Sequence, residues 1–321
     1  MNFATLQGLT IPQGVVTQIA DASGRVLWKL ANKKPVVLEV AKSATTSYAG
    51  ETEYADESVI LLDIYPAKYG TVKVTYGGLT KIVTDTSGAD EPNAQQVFFG
   101  TFQGVSDSVT TPESGTVTIE GNYRGYGRGA YTNAKSFTSY CACITGIQEI
   151  GEPSVIGPYT FRNLAGLTLT SLPDCLTYIG DYAFYKCYYI DVKTMPINLI
   201  TIGNNAFDVD VDGLSYLNKM PMYKAVIVFP STLQRIGDYV FGVNNQNVGA
   251  SSPRFNYVSG VVMLSTTPPT ISDSSFGNGR VDRTAEDQWP YITITVPKGC
   301  SEAYKTMENW STYAHCITEA S

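Results

Sequence analysis

The sequence predicts a mainly β protein in two parts: a sandwich of short strands, then a stack of repeated coils. Three observations carry this expectation. Of 321 residues, 16% are charged and 12% aromatic, with 22 Tyr and 29 Gly, which suits strands with polar, uncharged surfaces. Between about 35 and 125, short runs rich in Val, Ile, Thr and Tyr are separated by clusters of Gly, Pro, Asp and Ser. Beyond about 126 one phrase returns, as IGPYTF, IGDYAF, IGNNAF and IGDYVF, ending at Phe161, Phe184, Phe207 and Phe241.

Residues 1–34 read as a leader closed by the polar linker ANKKP. The leader is apolar for its length, with Leu6, Leu9, Val15, Val16, Ile19, Val26, Leu27 and Trp28. Alone it cannot bury these side chains, so it is expected to dock on the sandwich or to self-associate, which raises the prospect of a homo-oligomer. It lacks the basic start and long apolar core of a secretory signal. The chain also has no apolar run of about 18 residues, so no membrane insertion is expected.

The second part, 35–125, holds VVLEVAK, SVILLDIY, TVKVTYG, TKIVTDT, QVFFGTF and GTVTIEGNY. Several alternate apolar and polar residues, and helical periodicity is missing, so a β-sandwich is expected.

The third part, 126–321, is built on the phrase. Phe161, Phe184 and Phe207 are 23 residues apart, and Phe241 lies 34 further on, with an insertion around VDVDGLSYLNK. Weaker copies end at Phe137 and Phe276. A period of about 20–29 residues is the leucine-rich-repeat range and implies stacked coils. Pro173, Pro196 and Pro230 each precede the Ile-Gly by six residues. They should end the upstream strands LTLTSLP, IDVKTMP and AVIVFP, because proline cannot donate to a ladder. Gly180, Gly203 and Gly237 should supply either a turn with positive φ or a close backbone approach. The rings should stack in a column, each burying roughly 150–250 Å². Cys141 and Cys187 then read as small core residues. Two periods at ~5 Å per coil hold them ~10 Å apart, too far for a disulfide.

LPDCLTYIGDYAFYKC resembles the BspA-type bacterial leucine-rich repeat, over about 130–321. The resemblance extends to the closing segment, where Tyr304, Trp310 and Tyr313 would cover the open end of the core. It implies a surface or secreted binding protein and carries over no catalytic residue. Asp208–Asp210 departs from the pattern by lacking the cysteine. The leader and the segment from YGTVKVTYG to FQG resemble the front parts of structural proteins of phages and prophages of gut bacteria. That likeness implies an immunoglobulin-like domain behind a short leader, and release in a virion by lysis.

Composition removes several classes of function. Net charge is −7 with no basic run, so no nucleic-acid partner is expected. The six cysteines show no CxxC spacing and read as buried thiols. His315, beside Cys316, is the only histidine; a Cys–His pair there is the one handle for a hydrolase, against the plainer reading of a surface or cap residue. Asp208, Asp210 and Asp212 look like a fragment of a calcium loop without its trailing glutamate, or a solvated insertion. No cofactor or metal is expected. GNYRGYGRGAY at 121–131 is either a hinge or a ring-and-guanidinium surface for sugars.

The expected activity is therefore binding without catalysis. Alternation in the strands before the prolines places Leu167, Leu169, Ile190, Val192 and Val226 inward. It leaves Thr168, Thr170, Asp191, Lys193, Ala225 and Ile227 outward, with Tyr188 and Tyr189 at the edge. The expected ligand is a bacterial surface glycan or protein, met by a distal phage structural or receptor-binding protein that could also touch other phage structural proteins. The alternative is a secreted or cell-surface adhesin.

Overall fold

A computed structural model describes residues 18–20, 26–29, 33–41, 47–48, 51–52, 59–102, 105–106, 114–132, 138–140, 143–210, 218–244, 255–276 and 292–321. The chain divides into two compact units, Met1–Lys33 and Lys34–Ser321. The first contains an antiparallel pair, Gln18–Ala20 with Val26–Lys29, in which Ile19 lies opposite Trp28.

The second unit is mainly β and opens with two antiparallel layers. One sheet has the order Ile144–Glu149, Val36–Ala41, Ser114–Gly121, Thr71–Tyr76, Leu79–Thr84. Its alternation is regular: Val36, Leu38 and Val40 are buried, as are Val72, Val74 and Tyr76. It takes a strand from beyond residue 125, since Ile144–Glu149 pairs with Val36–Ala41. The other sheet begins with Val105–Ser106, Gln95–Phe102, Val59–Pro66 and Tyr123–Arg128. The layers share one core, where the Tyr76 and Phe99 rings lie 5.5 Å apart.

The second sheet does not stop there. Tyr123–Arg128 pairs antiparallel with Val59–Pro66 on one side and parallel with Val155–Ile156 on the other. From that point the sheet continues through Tyr178–Ile179, Thr201–Ile202 and Arg235–Ile236, one two-residue strand per repeat. GNYRGYGRGAY is thus not a hinge: Tyr123, Tyr126 and Arg128 are buried in a strand that joins the two kinds of pairing.

The repeats stack through three sets of contacts. The first is this parallel ladder, whose isoleucines Ile156, Ile179, Ile202 and Ile236 all point inward. The second is the turn carrying the phenylalanine. Alternate amides donate to the next repeat, Tyr159 to Asp181 O, Phe161 to Ala183 O and Asn163 to Tyr185 O, and the pattern recurs from Tyr182, Phe184 and Lys186. The rings form the expected column, with centroids 5.2 Å apart for Phe161–Phe184, 5.1 Å for Phe184–Phe207 and 5.7 Å for Phe207–Phe241. All four are buried. The third set is the strands before the prolines: Thr168–Leu169 with Tyr189–Ile190, then Val226–Phe229, Gly260–Met263, Thr293–Val296 and Ile317–Glu319, all parallel.

Of the two roles open to the phrase glycine, the structure selects close approach. Gly180, Gly203 and Gly237 do not have positive φ; a Cβ on Gly180 would sit 2.4 Å from Pro158 N, and one on Gly237 2.5 Å from Asn204 N. The left-handed residue comes two positions later, at Tyr159, Tyr182, Asn205 and Tyr239, with φ from 49° to 57°. Between them runs a polar ladder. Asp181 Oδ1 accepts from Asn204 N at 2.7 Å, and Asn204 Oδ1 accepts from Asp238 N at 2.9 Å. The Asp/Asn of the phrase thus satisfies an amide of the following repeat.

Both ends of the stack are closed. At the start, the carbonyls of Thr160 and Arg162 occupy the places that later repeats fill with Ala183 and Tyr185. Buried Arg128 serves them, Nε donating to Thr160 O at 3.0 Å and Nη2 to Arg162 O at 2.6 Å. At the far end Tyr304, Trp310 and Tyr313 are buried. Trp310 Nε1 donates to Pro269 O at 2.7 Å, and the Tyr313 hydroxyl to Asp273 O at 2.7 Å. Phe276 packs on Trp310 and Tyr313. Phe137 and Cys141 lie outside the described residues, so the expected separation of Cys141 from Cys187 falls there too; Cys187 is a buried free thiol donating to Phe161 O at 3.0 Å.

Candidate ligand-binding face

The strands before the prolines present one side to the core and the other to solvent. Thr168 pairs with Tyr189 across parallel strands, so their side chains are neighbours on the outer side, and both are exposed. Thr170 is exposed, and the Asp191 amide donates to Leu169 O at 2.7 Å, which keeps the next row in step. Lys193 Nζ sits 2.9 Å from Asp191 Oδ1, with the two side chains 52% and 34% exposed. The pair leaves the face close to neutral, and an ion pair this open contributes only about 0–1 kcal/mol to stability.

Two expected residues belong elsewhere. Ile227 is fully buried and Val226 is 48% exposed, the reverse of the expected register. The expectation counted back from proline as if each repeat alternated alike. The strand Val226–Phe229 does alternate strictly, with Phe229 and Ile227 inward. In the preceding repeat, Lys193 and Thr194 are both exposed between buried Val192 and Met195, a bend that shifts the count by one. Tyr188 is half-buried against the core, so of the two tyrosines only Tyr189 stands out from the surface, at 47% exposure. Leu167 and Leu169 pack on the core while remaining half-buried.

The face runs further than expected. A bridge from Thr194 to Val228 connects it to the longer parallel sheet. There one row reads Val226, Gly260, Thr293 and the next Val228, Val262, Thr295, Thr318. All of these except Gly260 are half-buried or exposed. The signal was present in the alternation of VIVF and ITITV. The product is a surface mainly of methyl and hydroxyl groups, able to make van der Waals contact and hydrogen bonds, with Asp191 and Lys193 as its close ion pair.

The other candidate residues resolve separately. Asp208 is fully buried and so is not part of a solvated loop; Asp210 pairs with Asn244 in a short parallel bridge, and Asp212 lies outside the described residues. Among the described residues no three of His, Cys, Asp and Glu gather as metal ligands. Cys316 Sγ lies 2.9 Å from His315 Nε2. Burial nevertheless raises the Cys316 pKa, which favours the thiol over the nucleophilic thiolate. The Cys187 thiol is pushed by burial up to about 12. No helix among the described residues is long and apolar enough to cross a membrane.

Comparison with known families agrees with this geometry. Residues 130–245 match, in six copies, the family described as BspA type leucine rich repeat region. No curated protein matches the chain. The matched residues are similar to a leucine-rich-repeat region, an architecture whose repeats build extended contact surfaces.

Proposed function

We propose that the protein is a non-catalytic binding protein that meets its ligand on the outer face from Thr168 and Tyr189 through Thr194 and Val228 to Thr318. The observation that carries this reading is the face itself, a near-neutral ladder whose one close charge pair among the described residues is Asp191 with Lys193. Its chemistry suits a neutral glycan or a protein surface. In this reading the antiparallel layers are an immunoglobulin-like sandwich and the repeats a solenoid. The whole chain is a distal phage structural or receptor-binding protein that recognises a bacterial surface. The separate leader unit and the likeness of the front part to phage structural proteins support it. The second reading, a secreted or cell-surface adhesin, is favoured by the repeat match. Tail and lysis genes beside this one decide for the first, an encoded anchor for the second.

The test is binding of the full chain to whole bacterial cells and to a glycan array. Asp191→Ala with Lys193→Ala should weaken binding and leave the melting temperature within a degree or two. Affinity should change little between low and moderate salt, because a neutral contact is weakly screened. An unchanged affinity in the double variant, or a collapse with salt, places the ligand elsewhere.

A further inference from the structure

The outer face of the continuous sheet, where antiparallel pairing gives way to parallel, carries a groove of about 460 Å³. That is within the ~300–1,000 Å³ typical of small-ligand sites. It belongs to a different ladder from the Thr168–Thr318 face and does not rest on the reading above.

The groove follows from one row of the sheet. Pairing sets Tyr65, Gly125, Val155, Tyr178 and Thr201 side by side. Their neighbours Ile64, Tyr126, Ile156, Ile179 and Ile202 are all buried, so this row faces the other way. Gly125 contributes no side chain; a Cβ there would lie 2.1 Å from Val155 O. The row therefore dips between two tyrosines set three strand spacings apart, roughly 14 Å.

A polar wall stands beside the dip. The register shifts between Tyr123 and Gly125, and the extra residue in that bulge is Arg124. Bulges re-aim a side chain in this way. Arg124 Nη2 donates to Pro92 O at 3.0 Å, and its guanidinium carbon lies 5.7 Å from the Tyr65 ring centroid. Nη1 is 3.8 Å from Glu91 Oε2, beyond a hydrogen bond, and Glu91 is 82% exposed. Arg124 Nε is buried and finds no acceptor among the described residues. Across the groove, the Thr177 hydroxyl donates to Ser154 O at 3.0 Å, which leaves its lone pairs to accept. Exposed Ile200 and half-buried Thr201 complete that side.

We propose that this groove is a saccharide subsite for a short neutral glycan. A sugar presents an apolar face of C–H groups and a rim of hydroxyls that both donate and accept. The tyrosine rings match the first, and Arg124, Glu91 and the threonines match the second. Glu91 beside Arg124 cancels the charge that would select a phosphate or carboxylate. A peptide adding as a strand needs an open sheet edge, and this groove lies on a sheet face.

The test uses the full chain with an array of neutral and acidic oligosaccharides, then calorimetric titration of the neutral binders. Tyr178→Ala should weaken them about tenfold or more, the scale of one ring contact. Tyr178→Phe should keep affinity within about threefold, because the ring is retained. Thr201→Tyr, which fills the groove from the surface, should abolish binding. Lys73→Ala, an exposed position on the other sheet, should leave it unchanged. Melting curves identify any variant that fails to fold. The proposal is overturned if no neutral oligosaccharide binds at millimolar concentration, or if only acidic ones do. It is equally overturned if Thr201→Tyr binds as wild type, or if a short peptide rather than a sugar competes for the groove.

Discussion

The antiparallel layers between 36 and 149 and the repeats that follow use the same residue types under different rules. In the layers, partners are distant and irregular: Val36–Ala41 pairs with Ser114–Gly121 and with Ile144–Glu149. A glycine there can mark a bend, as at Gly121, with φ of 102°. In the repeats, each residue meets its own counterpart one turn on, and glycine marks proximity. The left-handed position is filled by Tyr or Asn, and the neighbouring repeat holds it there through the turn amides. A strained backbone residue is tolerated where repetition over-determines it. Regular stacking thus lets the chain spend glycine on spacing and not on turning.

This contrast can be broken at its strongest point with Phe184→Ala. The ring lies between Phe161 and Phe207, and its loss should cost about 3–5 kcal/mol by transfer and cavity terms. Denaturant unfolding measures it, and a cost under about 1 kcal/mol would mean the column is not a shared core. Next comes glycine as a spacer. Gly180→Ala drives a Cβ against Pro158 N and Gly157 C and should cost about 1–3 kcal/mol. Gly166→Ala, with nothing within 4 Å, should be neutral or stabilise by about 0.4–1 kcal/mol. Equal effects at both glycines would show that close approach does not set the need for glycine at Gly180. Third, Asn204→Ala removes the acceptor for the Asp238 amide and should cost about 0.5–2 kcal/mol. Asn204→Asp should recover most of it, since Asp181 makes the same contact one repeat earlier.

The smallest effect is at the closing segment and depends on pH. Hydrogen bonds from Ser301, and then from the Gly299 amide, hold the Glu319 carboxyl down at about 2, against an ordinary 4.5. A depressed carboxyl stabilises the folded state above its unfolded value and loses that contribution as pH falls. Exchange protection of the Ser301 amide should therefore fall between pH 4.5 and 2. In Glu319→Gln the protection should stay flat across that window. A flat wild-type profile would show that the clamp does not hold this end.

What could be read from the sequence divides along the same line. The ring column and the closing aromatics were legible because repetition prints a three-dimensional neighbour as a one-dimensional spacing; of the prolines only Pro230 abuts its strand, whereas Thr168–Leu169 and Tyr189–Ile190 end well short of Pro173 and Pro196. The strands of the layers were legible from alternation, but their partners were not. The two-residue ladder through Ile179 and Ile202 escaped notice because two residues show no period. The reversed placement of Val226 and Ile227 arose where Lys193 and Thr194 break the alternation. The groove at Tyr65 and Tyr178 was invisible because its two rings stand 113 residues apart in the chain. Only the pairing of Gly125 with both Tyr65 and Val155 brings their strands together.

Arg128 has a consequence for whole molecules. A stack of repeats has two ends, and an open end offers the same amides or carbonyls that one repeat offers the next. A second copy arriving there would find a ready template, and because such a junction is head to tail it would not close on itself. By occupying the carbonyls of Thr160 and Arg162 with a single guanidinium, Arg128 makes the first repeat a terminus. Trp310 and Tyr313 do the same at the opposite pole. The same donor that completes the fold therefore occupies two acceptors that such a junction would need.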